Sequence, residues 1–121
     1  MGKQTLEQKR AQHAWTISQH YSKEHINFAK GMPALIMNSG LMQVMAFCRE
    51  KGSKGAQTHV EDVAQHLRDW LHEQCQTPKE FEAFMQHLMQ ADSRRFQEIS
   101  TEAFAWLKWL RQMAAARNGG N

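Results

Sequence analysis

An all-α, single-domain bundle of about five helices is the fold that this 121-residue sequence predicts. Apolar residues recur at spacings of three and four through most of the chain, and no stretch alternates with the period of two that a half-buried strand needs. Cap and breaker signals fall at helix-length intervals, at Thr5, Pro33, Gly52, Thr58, Pro78 and Asp92. The composition is 41% apolar and 22% charged, which is that of one globular domain spanning residues 1–121 and large enough to bury a core.

Thr5 with Gln8 reads as a capping box, opening a helix that could run to about Lys30. Ala14, Ile17, Tyr21 and Phe28 give that helix one modest apolar face. Its other sides carry Lys9, Arg10, His13, Gln19, His20 and Lys23. A helix so polar for its length is expected to lay its first turns on something other than its own core.

Gly31 to Gly52 reads as a second, central helix. Gly31 breaks what precedes it, Pro33 fits a first turn, and Gly52 suits a left-handed stop. Leu35, Ile36, Met37, Leu41, Met42, Val44, Met45, Phe47 and Cys48 cover nearly every side, the pattern of a buried helix. Gly40 lies within it at a cost of about 1 kcal/mol relative to Ala. Close approach of a neighbouring helix would offset that cost; a tolerated weak point is the alternative.

Lys51 to Gln57 is a basic, glycine-containing loop. Thr58 with Glu61 reads as a capping box for a helix that buries Val60, Val63, Leu67, Trp70 and Leu71 and ends near Cys75. Thr77-Pro78-Lys79-Glu80 is a further start, followed by inward Phe81, Phe84 and Leu88, with Met85 and Met89 also candidates. Asp92-Ser93 restarts the chain as a helix. There Phe96, Ile99, Ala103, Trp106, Leu110 and Met113 form a seam that suits one face of a bundle helix better than a short dimeric coiled coil. Asn118 to Asn121 reads as a frayed, flexible tail.

Fifteen Lys and Arg against twelve Asp and Glu leave a net charge of +3, which permits an anionic partner without demanding one. Cys48 and Cys75 form no CxxC unit, the start MGKQTLEQKR carries no signal peptide, and no segment suits a bilayer. A reduced, cytoplasmic protein follows as the expectation. His59, Asp62, His66 and Asp69 repeat along one helix face, but the two histidines stand roughly 10 Å apart on a straight helix, too far to share one metal. A solvated face is the simpler reading. No serine lies in a GxSxG turn, Cys48 has no activating neighbour, and no glycine loop can cradle phosphate. No enzyme activity is expected, and no catalytic, cofactor or metal residue is assigned.

Basic clusters are more informative. Arg94, Lys108 and Arg111 lie away from the apolar seam of the last helix, and Lys51 and Lys54 sit on the glycine loop. Such residues neutralise phosphates without reading bases. Phe104 and Trp109 fall on the flanks of the seam, as partner contacts or as part of a wide apolar face.

Pro33-Ala34-Leu35-Ile36, then Asn38-Ser39-Gly40-Leu41-Met42-Gln43, then Ala46-Phe47 and Lys51, resembles a known run, P-x-L-I-x-x-N-G-L-x-Q-x-x-A-F-x-x-x-K. It belongs to the small helical subunit of type III-B CRISPR effector complexes, the Cmr or RAMP-module complexes. Arg10-Ala11-x-x-Ala14-Trp15 is similar to that family's first helix, and His66-Leu67-x-x-Trp70-Leu71 to its third. Phe96 to Ala103 followed by Trp106 to Ala114 resembles its closing Y-R-x-x-T-x-E-A and L-x-W-L-x-R-x-A segments. Two departures stand out. Ser39 separates Asn38 from Gly40, and Phe96-Gln97 replaces Tyr-Arg, removing one basic position.

The resemblance implies a non-catalytic, all-α subunit of an antiviral ribonucleoprotein. Its copies would stack along the duplex of guide RNA and target RNA and bridge the large Palm-domain subunit to the repeat-associated backbone subunits. It would make Lys51, Lys54, Arg94, Lys108 and Arg111 phosphate contacts, and Lys9, Arg10, Phe104 and Trp109 subunit contacts. Two rivals remain: a helical protein–protein adaptor without nucleic-acid binding, and a metal-dependent hydrolase built on the His59 stripe.

Overall fold

The longest element of the computed structural model, which describes residues 2–118, is its last helix. In chain order the helices are α1 (Leu6–Ile17), α2 (Lys23–Ser39), α3 (Leu41–Gly52), α4 (Thr58–Cys75), α5 (Phe81–Gln90) and α6 (Ser93–Arg117), with a 3-10 turn at Gly55–Gln57 before α4. No strand occurs among the described residues. α1, α2 and α4 all pack on α6, while α3 lies against α4 and α2. The Asp92 carboxylate accepts from the Arg95 N–H at 2.8 Å and starts α6. Its seam is as the sequence predicts: Ile99, Ala103, Trp106 and Leu110 are fully buried, and Phe96 and Met113 close its ends half-buried.

The expected first helix is two. α1 ends at Ser18, and α2 begins behind Ser22, whose hydroxyl accepts from the His25 N–H at 3.3 Å. The His25 ring answers the Ser22 N–H at 3.1 Å. Between them Ser18 and Tyr21 are both buried, so the core-facing stripe runs on across the break.

The expected central helix is divided differently too. α2 runs straight through Gly31 and carries Pro33 in its interior. The break falls at Gly40, whose φ of 84° is closed to most side chains and which ends α2 and opens α3. No atom lies within 4 Å of a Cβ placed on Gly40, so its role is the backbone bend and not a close approach. The close approach occurs at Gly52, where a Cβ would stand 2.1 Å from Glu61 Cβ. Gly52 is the last residue of α3 with no left-handed conformation. Burial on every side does not hold either: Leu35, Met37 and Phe47 are exposed, as is Met89 on α5.

Two start signals are displaced. Thr58 makes no cap bond, because the 3-10 turn leads directly into α4 and Glu61 is drawn to Arg68 and Arg49 instead. Thr77 is fully buried, with its carbonyl accepting from His72 Nδ1 at 2.8 Å. Glu80 therefore caps α5, accepting from Ala83 and Glu82 N–H groups. At the other end Asn118 is tied down, its side-chain amide donating to the Ser18 carbonyl at 3.1 Å. The rest of the expected tail, 119–121, lies outside the described residues.

Candidate nucleic-acid interface

The 3.6-residue period that turns the α6 seam inward turns Arg94, Thr101, Lys108, Arg111 and Gln112 outward, and all five are exposed. Arg94 to Arg111 covers roughly 25 Å of helix. Among the described residues none of these three cations has a carboxylate within ion-pair distance. Their charge is available to an outside anion.

Lys51 and Lys54 belong to a different part of the molecule, the α3–α4 connection. Lys51 is half-buried with its ammonium 5.8 Å from the Phe47 ring centroid. Lys54 is exposed but bonded to Glu50 at 2.9 Å, and that bond is the leading cause holding the Glu50 carboxyl below its usual range.

Lys9 is exposed on α1. Arg10 is turned inward: Nε and Nη2 each reach the Glu102 carboxylate at 2.7 Å, and Nη1 bonds Glu7 at 3.1 Å. The bond to Glu102 pushes the guanidinium pKa further above its already high value. Glu102 also accepts from Trp70 Nε1 at 2.9 Å. Phe104 and Trp109 are half-buried and packed on the core, so they widen the apolar face of α6. Trp109 Nε1 donates to Glu7 at 2.8 Å, which with Arg10 lowers the Glu7 carboxyl.

The histidine face is engaged within the fold. Tyr21 Oη and His66 Nδ1 are 2.8 Å apart, His25 Nε2 is 2.9 Å from Asp62, and Asp69 accepts from Gln65 at 3.0 Å. His59 meets the His25 ring edge-on. No group of three or more His, Cys, Asp or Glu among the described residues has the geometry to hold a metal. Burial pushes the Tyr21 phenol far up, so it stays protonated in its contact with His66. Trp106 Nε1 donates to His13 Nδ1 at 3.0 Å, leaving the proton of neutral His13 on Nε2, which faces Glu73 at 3.6 Å. Burial is the main cause lowering both His13 and His66, and it pushes the Cys48 thiol up to about 12.

Sequence reasoning passed over Arg68. It is fully buried, donating to Glu61 at 2.6 Å, Gln65 at 2.7 Å and the Lys79 carbonyl at 3.1 Å, and it clamps α4 to the start of α5. A signal was present: Arg68 occupies the apolar stripe of Ala64, Leu71 and Cys75. Trp15, which the first-helix resemblance includes without giving it a role, is 40% exposed with the Arg117 guanidinium 4.7 Å from its ring centroid.

A family model described as "CRISPR-associated protein (Cas_Cmr5)" matches residues 6–117. No curated protein matches the chain in sequence.

Proposed function

The chain belongs to the Cas_Cmr5 family, the small subunit of type III-B Cmr CRISPR effector complexes, and from that premise we propose that it is a non-catalytic subunit stacking beside the guide RNA–target RNA duplex. In this reading it bridges the large subunit to the backbone subunits in the cytoplasm and lends the complex positive surface, while other subunits cleave.

The observation that carries the reading is the unpaired cationic face of α6. Arg94, Lys108 and Arg111 project from a helix whose seam is fully buried from Ile99 to Leu110. Charges fixed on such a scaffold need little ordering when they meet phosphate. They confer affinity without sequence choice, as a subunit following any guide requires. Lys51 and Lys54 are secondary contacts, because Lys54 must give up Glu50 to reach a phosphate. Lys9, the outer edges of Phe104 and Trp109, and what Arg10 leaves exposed are assigned to neighbouring subunits. The protein-only adaptor predicts that these cations are silent.

The test is RNA binding by the reconstituted complex with Lys108→Glu and Arg111→Glu in this subunit. Loss of affinity, with a log–log salt slope flattened by about one per phosphate contact removed, is expected. Unchanged affinity and slope would favour the adaptor.

A further inference from the structure

Between α1 and the end of α6 lies a recess of about 390 Å³, lined by Gln4, Gln8, Ala11, Gln12, Trp15 and Met113. We infer that it is a stacking site for an unpaired RNA base, held against Trp15 and hydrogen-bonded by the amides of Gln8 and Gln12. The inference rests on the RNA-binding reading above and adds to it a contact with a base where that reading has only phosphates.

Three features support it. The indole of Trp15 is two-fifths exposed and carries Arg117 over its ring, and Arg117 Nη1 donates to the Trp15 carbonyl at 3.2 Å, which fixes the guanidinium in place. A rigid aromatic beside an arginine plane is the surface on which single-stranded bases stack. The two glutamines offer complementary groups. Gln8 Oε1 accepts from the Thr5 N–H at 2.7 Å, which leaves its NH2 to donate outward. Gln12 Nε2 donates to Thr16 Oγ1 at 3.1 Å, which leaves its Oε1 to accept. This leaves one donor and one acceptor in the lining of the same recess, and the edge of an unpaired base presents groups that can pair with each.

The charge at the rim also suits RNA. Arg117, which lies over the Trp15 ring, has no ion pair among the described residues. The nearest carboxylate on α1, Glu7, is occupied by Arg10 and Trp109. An apolar protein side chain entering this recess would cover the remaining Gln8 donor and Gln12 acceptor without pairing them, which is costly. A base satisfies them.

The test measures fluorescence anisotropy of two probes with the full chain: a short single-stranded oligouridylate and the same sugar–phosphate backbone lacking bases. The base-bearing probe is expected to bind at least about fivefold tighter. Trp15→Ala should erase that difference without altering the salt slope, and Trp15→Phe, which keeps an aromatic face, should retain most of it. Equal affinity for the two probes, a preference that survives Trp15→Ala, or no binding of either probe would overturn the stacking site. Equal binding of both probes that falls with Lys108→Glu would leave the phosphate-binding reading standing. Absence of binding to both would count against each.

Discussion

Glu102 accepts three hydrogen bonds, two from Arg10 and one from Trp70, and so joins α1, α4 and α6 at one largely buried point. Glu102→Gln keeps the shape and removes the charge, leaving the Arg10 guanidinium with only the exposed Glu7 as counter-ion. A loss of about 3 kcal/mol in urea unfolding is expected. His13 and His66 act in the opposite sense. Each is neutral in the fold because burial lowers its pKa, so the unfolded chain binds protons more readily. Their contribution is complete above the ordinary imidazole value near about 6.5 and is lost as pH falls below it toward the lowered folded values. The unfolding midpoint should therefore drop between about pH 7 and about pH 5, and a His13→Gln, His66→Gln variant should show a flatter profile. None of these partnerships was legible in the sequence. Arg10 and Glu102 are 92 residues apart, and helical periodicity says which face a residue occupies without saying what lies opposite.

Helix identity and faces were legible where several signals agreed. The α6 seam, the Asp92 cap and the apolar face of α4 all stand as the spacing implied. Joints between helices were not, because the same period runs on either side of a bend. The three glycines of the middle region separate these cases. Gly31→Ala should stabilise by about 0.5–1 kcal/mol, since the position is helical and has open space around it. Gly40→Ala should cost about 1–3 kcal/mol, because φ 84° with ψ 158° is a conformation open essentially to glycine alone. Gly52→Ala should cost more than Gly31→Ala gains and also loosen Arg68, because Glu61 must move away from α3. Thermal melts of the three variants would order them. An opposite order would mean that the α2–α3 bend is set by something other than Gly40.

The whole molecule divides into a buried body and two outward features, the cationic face of α6 and the Trp15 recess. Most internal charge is used up in holding helices together: Arg10 by Glu102, Arg68 by Glu61, and Arg95 by the Cys75 carbonyl. The charge left over is what an outside partner meets. The α6 cations could be read from the sequence because they sit opposite an unmistakable seam, whereas the engagement of Arg10 and the stacking of Arg117 on Trp15 needed three dimensions. The measurement that tests the central claim most directly is recovery of the tagged chain from its native cell, with and without nuclease, followed by sequencing of bound RNA and identification of bound proteins. The account predicts short guide RNAs together with a large Palm-domain protein, both carried over with reduced yield by a Lys108→Glu, Arg111→Glu variant. Protein partners without guide RNA, unchanged by nuclease and by the charge reversals, would contradict it.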